Sequence, residues 1–166
     1  MKATAVEQQH EKRFFTVDEA NQRLPLVRVI VDDIVSLFLD VQERRQRLAD
    51  LLQRDPIRAK RPSTPYSEEL EQMDAEIRAD IDRLNGFAHE LAALGVELKD
   101  PNIGLCDFPT LVDDREAYLC WKLGEPEVGF WHDLHSGVQG RQSVASLRPQ
   151  PRFSASKNAP SKNAKN

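Results

Sequence analysis

Two cysteines in 166 residues are too few for a framework of disulfides, which needs several bridges and an oxidising compartment. Cys106 and Cys120 therefore read as reduced thiols. Long hydrophobic runs are missing as well: the longest helix-like apolar stretch is broken by Arg28 and by Asp32 and Asp33, so no segment reads as a membrane span. The opening stretch MKATAVEQQHEKRFF lacks the apolar centre of an export signal, and together these absences predict a cytoplasmic protein. Absent too is any short motif tied to one chemistry. The cysteines have no C-x-x-C pairing, and Ser136 before Gly137 lacks the strand-to-helix setting of a nucleophile elbow. No catalytic residue, metal ligand or cofactor is assigned from motifs.

Acidic residues are lacking in one region only. From residue 141 onward Arg141, Arg148, Arg152, Lys157, Lys162 and Lys165 give +6 with no acid, while the preceding 140 residues hold 17 basic and 27 acidic side chains, a net of −10. An acidic body disfavours contact with nucleic-acid phosphates, and a basic tail adds at most a salt-sensitive one. Nucleic acid is not an expected partner. The tail is polar, poor in aliphatics and repeats S-K-N-A at Ser156 and Ser161, which predicts disorder over 144–166; a flexible stretch is expected over 1–13.

What is present is helical periodicity. Thr16 followed by Glu19 forms a capping box and starts a helix. Pro25 either opens a second helix or kinks the first. Val27, Ile34, Val41 and Leu48 then recur every seven residues, with Ile30, Leu37 and Leu51 in the complementary series and Arg44 breaking it, so the helix runs to about residue 54. Pro56, Pro62 and Pro65 impose a loop of about a dozen residues. A second heptad series follows at Leu70, Ile77, Leu84 and Leu91, with Met73, Phe87 and Leu94 alongside and Asp80 as its exception; Gly95 caps it. The two helices predict an antiparallel hairpin over 16–95.

After Gly95 the pattern alternates, and strands are expected near 103–108, 116–123 and 127–132, with GEPE as the turn between the last two. The fold class is thus α+β: a long antiparallel helical hairpin with a small C-terminal antiparallel β-meander over 96–143, all in one domain spanning 14–143.

The stretch LCWKLGEPEVGFWHDLHSG, residues 119–137, concentrates the chemistry. With Cys106 it offers a Cys2His2 inventory, Cys106, Cys120, His132 and His135, whose ligand types suit zinc but whose spacing does not. Strand parity is the test. A four-residue GEPE loop pairs Trp121 with Phe130, Leu119 with His132 and Cys120 with Trp131, placing Cys120 and His132 on opposite faces; a loop changed by one residue puts them opposite each other on one face. The first register is favoured because it gathers Leu119, Trp121 and Phe130. Trp121 and Trp131 are expected to pack against the helices. Asp107, Glu125 and Asp133 are carboxylates with no assigned partner, and Arg141, following two glycines, could form an anion-binding corner with His132.

FTVDEANQRLP, LGVELKDPNIGLCDFP, YLCWKLGEPEVGFWH and GVQGRQ together resemble the bacterial family known as domain of unknown function number 2203, over about residues 14–143. The resemblance implies the hairpin with its small β-rich C-terminal half and brings with it no established activity, substrate or cofactor. The family's recurrent residues match here as Asp107, Phe108, Pro109, Cys120, Trp121, Gly124, Glu125, Trp131, His132, Gly137, Gly140 and Arg141. Cys106 departs from the pattern and His135 falls at a variable position.

The expectation is a non-enzymatic interaction or small-ligand-binding protein. Its hairpin would serve as a surface for a homodimer or an unknown protein partner, and Asp107, Trp121, Glu125, Trp131, His132 and Arg141 are the candidate ligand-binding residues. The competing expectation is a metal-dependent or hydrolytic enzyme acting at Cys120, Glu125, His132 and Arg141.

Overall fold

The computed structural model describes residues 12–147. Within them lie α1 (Val17–Arg54), the single turn α2 (Pro56–Ala59) and α3 (Pro65–Ala93). Five strands follow, β1 (Glu97–Asp100), β2 (Leu105–Val112), β3 (Arg115–Lys122), β4 (Phe130–Asp133) and β5 (Gln142–Ser143). They form one antiparallel sheet in sequence order, so the fold is α+β with a C-terminal meander, as the sequence predicts.

The capping box forms: Thr16 Oγ1 accepts the Glu19 amide, and the Glu19 carboxylate accepts the Thr16 amide at 2.9 Å. α1 continues through Pro25. The helical bond lost there is the one to the Asn21 carbonyl; separately, the Asn21 side chain reaches the connection between β3 and β4 and accepts the Val128 amide at 2.8 Å. α3 closes in a Schellman arrangement, with Gly95 at φ +81° and the Val96 and Gly95 amides returned to Leu91 and Ala92.

Heptad residues of the two helices interlock in antiparallel order. Val41 and Leu48 meet Leu70 and Ile77 at the far end of the hairpin, while Val27, Ile30, Val31, Ile34 and Leu91 join the sheet's main core. The two exceptions to the heptads find each other: Arg44 bonds Asp80 across the hairpin at 2.6 Å.

The sheet has one face on the helices and one away from them. Cys106, Phe108, Leu119 and Trp121 alternate inward and are fully buried. Phe108 meets Phe15 edge to face at 5.5 Å, a geometry worth about 0.5–1.5 kcal/mol beyond area burial. β2 and β3 join through a two-residue turn in which Asp113 and Asp114 both take positive φ, the twist a tight hairpin requires.

Two strands escape the sequence pattern. β1 reads Glu-Leu-Lys-Asp with one apolar residue on an edge, and β5 is two residues long, so neither carries a visible alternation. The favoured β3–β4 register is corrected. Tyr118 pairs with His132, Leu119 with Trp131 and Cys120 with Phe130. The cause is the connection, which spans residues 123–129 rather than four: Val128 dives into the core at 1% exposure, held by Asn21, and cannot pair with Leu123. Phe130 is consequently turned away from the helices and 37% exposed.

Beyond Arg141, Val144–Ser146 form a 3-10 turn, and Val144 and Leu147 pack against the main core. The rest of the expected tail, and residues 1–11, lie outside the described residues. Among the described residues no helix is long and apolar enough to cross a membrane.

Candidate metal centre

The corrected register decides what the outer face of the sheet carries. Asp107 of β2 lies opposite Cys120 of β3, and His132 of β4 lies opposite Tyr118, one pair further along the same face. The three side chains converge, with one ligand atom from each lying within 4.8 Å of the others. All are buried: Cys120 is 0%, Asp107 3% and His132 4% exposed.

Hydrogen bonding fixes the imidazole. A carbonyl oxygen only accepts, so the 2.7 Å contact to the Asp133 carbonyl places a proton on His132 Nδ1. In the neutral ring Nε2 is then a bare lone pair, and it faces Asp107 Oδ2 at 3.1 Å. Two acceptors held together in a buried site need a cation between or upon them, whether a proton or a metal ion. The second oxygen, Asp107 Oδ1, is buried without a hydrogen-bonding group among the described residues. Burial, then the neighbouring Asp107 charge, push the Cys120 thiol up to about 12 against the opposing pull of Arg141. Burial, the larger cause, raises Cys106 as far, so the shift alone does not mark a site; a divalent cation beside Cys120 would reverse the balance and deprotonate the thiol.

Arg141 and Glu125 border the trio. Arg141 bonds Glu125 at 2.7 Å, donates to the Cys120 carbonyl at 3.3 Å and lies 4.2 Å from the centre of the Phe130 ring. Glu125 also accepts the Lys122 amide. Burial works to raise its carboxyl, but Arg141 and that amide outweigh it and hold the group below the usual range.

Of the residues singled out in the sequence, Asp107 and His132 come together with Cys120, and Glu125 and Arg141 pair beside them. Trp121 is elsewhere, in the helical core with its indole N–H on the Glu125 carbonyl. Trp131 also faces the helical side and bonds Ser146. The Cys2His2 inventory divides: Cys106 points to the helices, its thiol raised to about 12 by burial, and His135 is exposed in the turn after β4. Both cysteines are free. Sequence reasoning paired Cys120 with the wrong partners because nothing in GEPEVG announces that Val128 is a core residue.

The fold and this face define an α+β domain whose helical hairpin supports a meander with a buried Asp-Cys-His cluster. The chain belongs to the family of uncharacterized conserved proteins DUF2203, whose model matches residues 13–144. No curated protein and no solved structure matches it.

Proposed function

We propose that this protein binds a divalent transition-metal ion through Asp107, Cys120 and His132. The reading rests on one observation: a His132 ring committed through Nδ1 to a backbone carbonyl aims its Nε2 lone pair at a buried carboxylate, with a buried thiol alongside. Metal-bound histidines are oriented by this kind of second hydrogen bond. A mixed sulfur, nitrogen and oxygen set favours zinc-class ions over magnesium or calcium, and a 3.1 Å separation of nitrogen and oxygen is compatible with bonds of about 2.0–2.2 Å to a shared ion. Such an ion would also join β2, β3 and β4, adding stability in proportion to its binding.

A proton alone satisfies the His132–Asp107 contact. In that reading the Cys120 thiol hydrogen-bonds the Asp107 carboxylate while Asp107 Oδ1 stays unpaired, whereas an ion would engage all three side chains at once.

The hairpin as a self-association surface has less in its favour. Leu26, Val29, Leu39 and Leu52 are exposed on α1, but at roughly 100° per residue they point to different sides of the helix rather than forming a stripe. Zinc titration against a competing chromophoric chelator tests the metal reading. One ion per chain is expected, with affinity falling more than about a hundredfold in Cys120→Ser and His132→Gln. Equal affinity in wild type and both variants would refute it.

A further inference from the structure

A cavity of about 650 Å³ opens on the helical face of the sheet, the side away from Asp107, Cys120 and His132, at the end where Val112 pairs with Arg115 and Ala117 with Asp133. Trp131 and Leu134 give it an apolar floor with Val112, and Leu134 is left 46% exposed. Asp113, Glu116 and Asp133 stand around that floor, against Arg115 as the only lysine or arginine of the lining. Glu116 is bonded to Lys12, and the Asp133 carboxylate accepts the His135 and Ser136 amides. Asp113 makes no hydrogen bond or ion pair among the described residues. An apolar concavity with a net acidic rim fits an occupant that is both basic and aromatic.

Such a segment follows directly on the described chain. Residues 148–153 read Arg-Pro-Gln-Pro-Arg-Phe, two arginines and an aromatic ring with no acid. Its prolines preset an extended backbone, so less entropy is lost on docking than for an ordinary coil. The chain is also delivered to the right place. Val144 and Leu147 pack on the main core, and Ser146 Oγ accepts the Trp131 indole N–H at 3.2 Å. The side chain that holds Ser146 is therefore itself a wall of the cavity, and six extended residues reach about 19 Å further. A tether this short gives an effective concentration of about millimolar, so a contact too weak to hold a free peptide suffices within one chain.

We propose that residues 148–153 of this chain dock in the cavity, with Phe153 on the floor of Val112, Trp131 and Leu134 and with Arg148 and Arg152 toward the acidic rim. The cavity is thus an interaction surface covered by the chain's own basic segment. Salt, or a competing peptide that is likewise basic and aromatic, uncovers it. None of these residues is a proposed metal ligand, so the docking stands or falls independently of the metal reading.

Tryptophan fluorescence of the full chain tests this. Trp121 is fully buried and Trp131 is not, so acrylamide, a neutral quencher indifferent to changes of charge, reads Trp131. Phe153→Ser and Arg152→Glu both fall outside the described fold and leave the domain's core unaltered. Each variant is expected to be quenched about twofold more strongly than wild type, because losing one contact of a weak docking equilibrium shifts most of the population to the undocked state. Added sodium chloride should raise quenching in wild type and much less in Arg152→Glu. A synthetic peptide of residues 148–154, added to Phe153→Ser at millimolar concentration, should restore the wild-type protection. Equal quenching in wild type and both variants would overturn the proposal. Protection in wild type that fades on dilution would assign the cavity to a second copy's segment and overturn docking within one chain.

Discussion

Gly104 shows how closely single atoms are accommodated. It sits at φ +63° between β1 and β2, and a Cβ there would lie 2.6 Å from Val31 Cγ1 and 2.8 Å from Leu123 Cβ. Gly104→Ala is expected to cost about 2–4 kcal/mol, combining overpacking with a backbone angle that alanine adopts poorly. Urea denaturation would measure it, and a loss under about 0.5 kcal/mol would show that α1 and the loop yield more easily than their packing indicates. Cys120 and Cys106 make a contrasting pair at the same scale. Both are buried with thiols raised to about 12, but only Cys120 has Asp107 and His132 beside it. In the metal-loaded protein, Cys106→Ala should keep the ion, whereas Cys120→Ala should lose it, as metal analysis after dialysis would show.

Among the elements, the hairpin was the most legible in the sequence, because a seven-residue apolar repeat exposes both its helical period and its partner face. Its two irregularities carried information that the repeat alone did not interpret. Arg44 and Asp80 each interrupt an apolar series, and in the fold they bond each other at 2.6 Å, with Asp40 and Arg83 completing the network. A polar pair inside an apolar seam penalises helix registers that separate it, since each charge would then be left half-buried alone. Arg44→Met or Asp80→Leu alone should therefore lower Tm more than the two together, a non-additivity that thermal melts of the double-mutant cycle would detect.

The same pair predicts a pH dependence. Hydrogen bonds from Arg44, then Arg83, hold the Asp80 carboxyl below its usual range in the folded chain. Its contribution is fully present above the ordinary carboxylate range and is lost as pH falls through the depressed folded value. The Tm gap between wild type and Asp80→Asn should accordingly narrow on acidification. A gap that widened would contradict this account of the network.

Across the whole molecule, the order of hairpin and meander could be read from periodicity, but the composition of the outer sheet face could not. Strand parity there depends on how many residues leave the sheet between Lys122 and Phe130, and that number is set by tertiary contacts from Val128 to Asn21 and from Trp121 to Glu125. A local pattern does not reveal them. The expected boundary at residue 143 has a similar basis: Val144 and Leu147 are isolated aliphatics in a polar stretch, but they pack on the core, and the Val144 amide bonds the Gly129 carbonyl at 3.0 Å. A chain ending after residue 143 should be less stable than one ending after 147 by about 1–3 kcal/mol, which denaturant melts of the two would resolve.

The central claim concerns what Asp107, Cys120 and His132 hold between them. Native mass spectrometry of the untagged protein, purified without chelator and then exposed to equimolar zinc, reports bound mass and subunit count in one spectrum. The account predicts one zinc per chain, absent from Cys120→Ser. A wild-type spectrum showing only the mass of the polypeptide would contradict it.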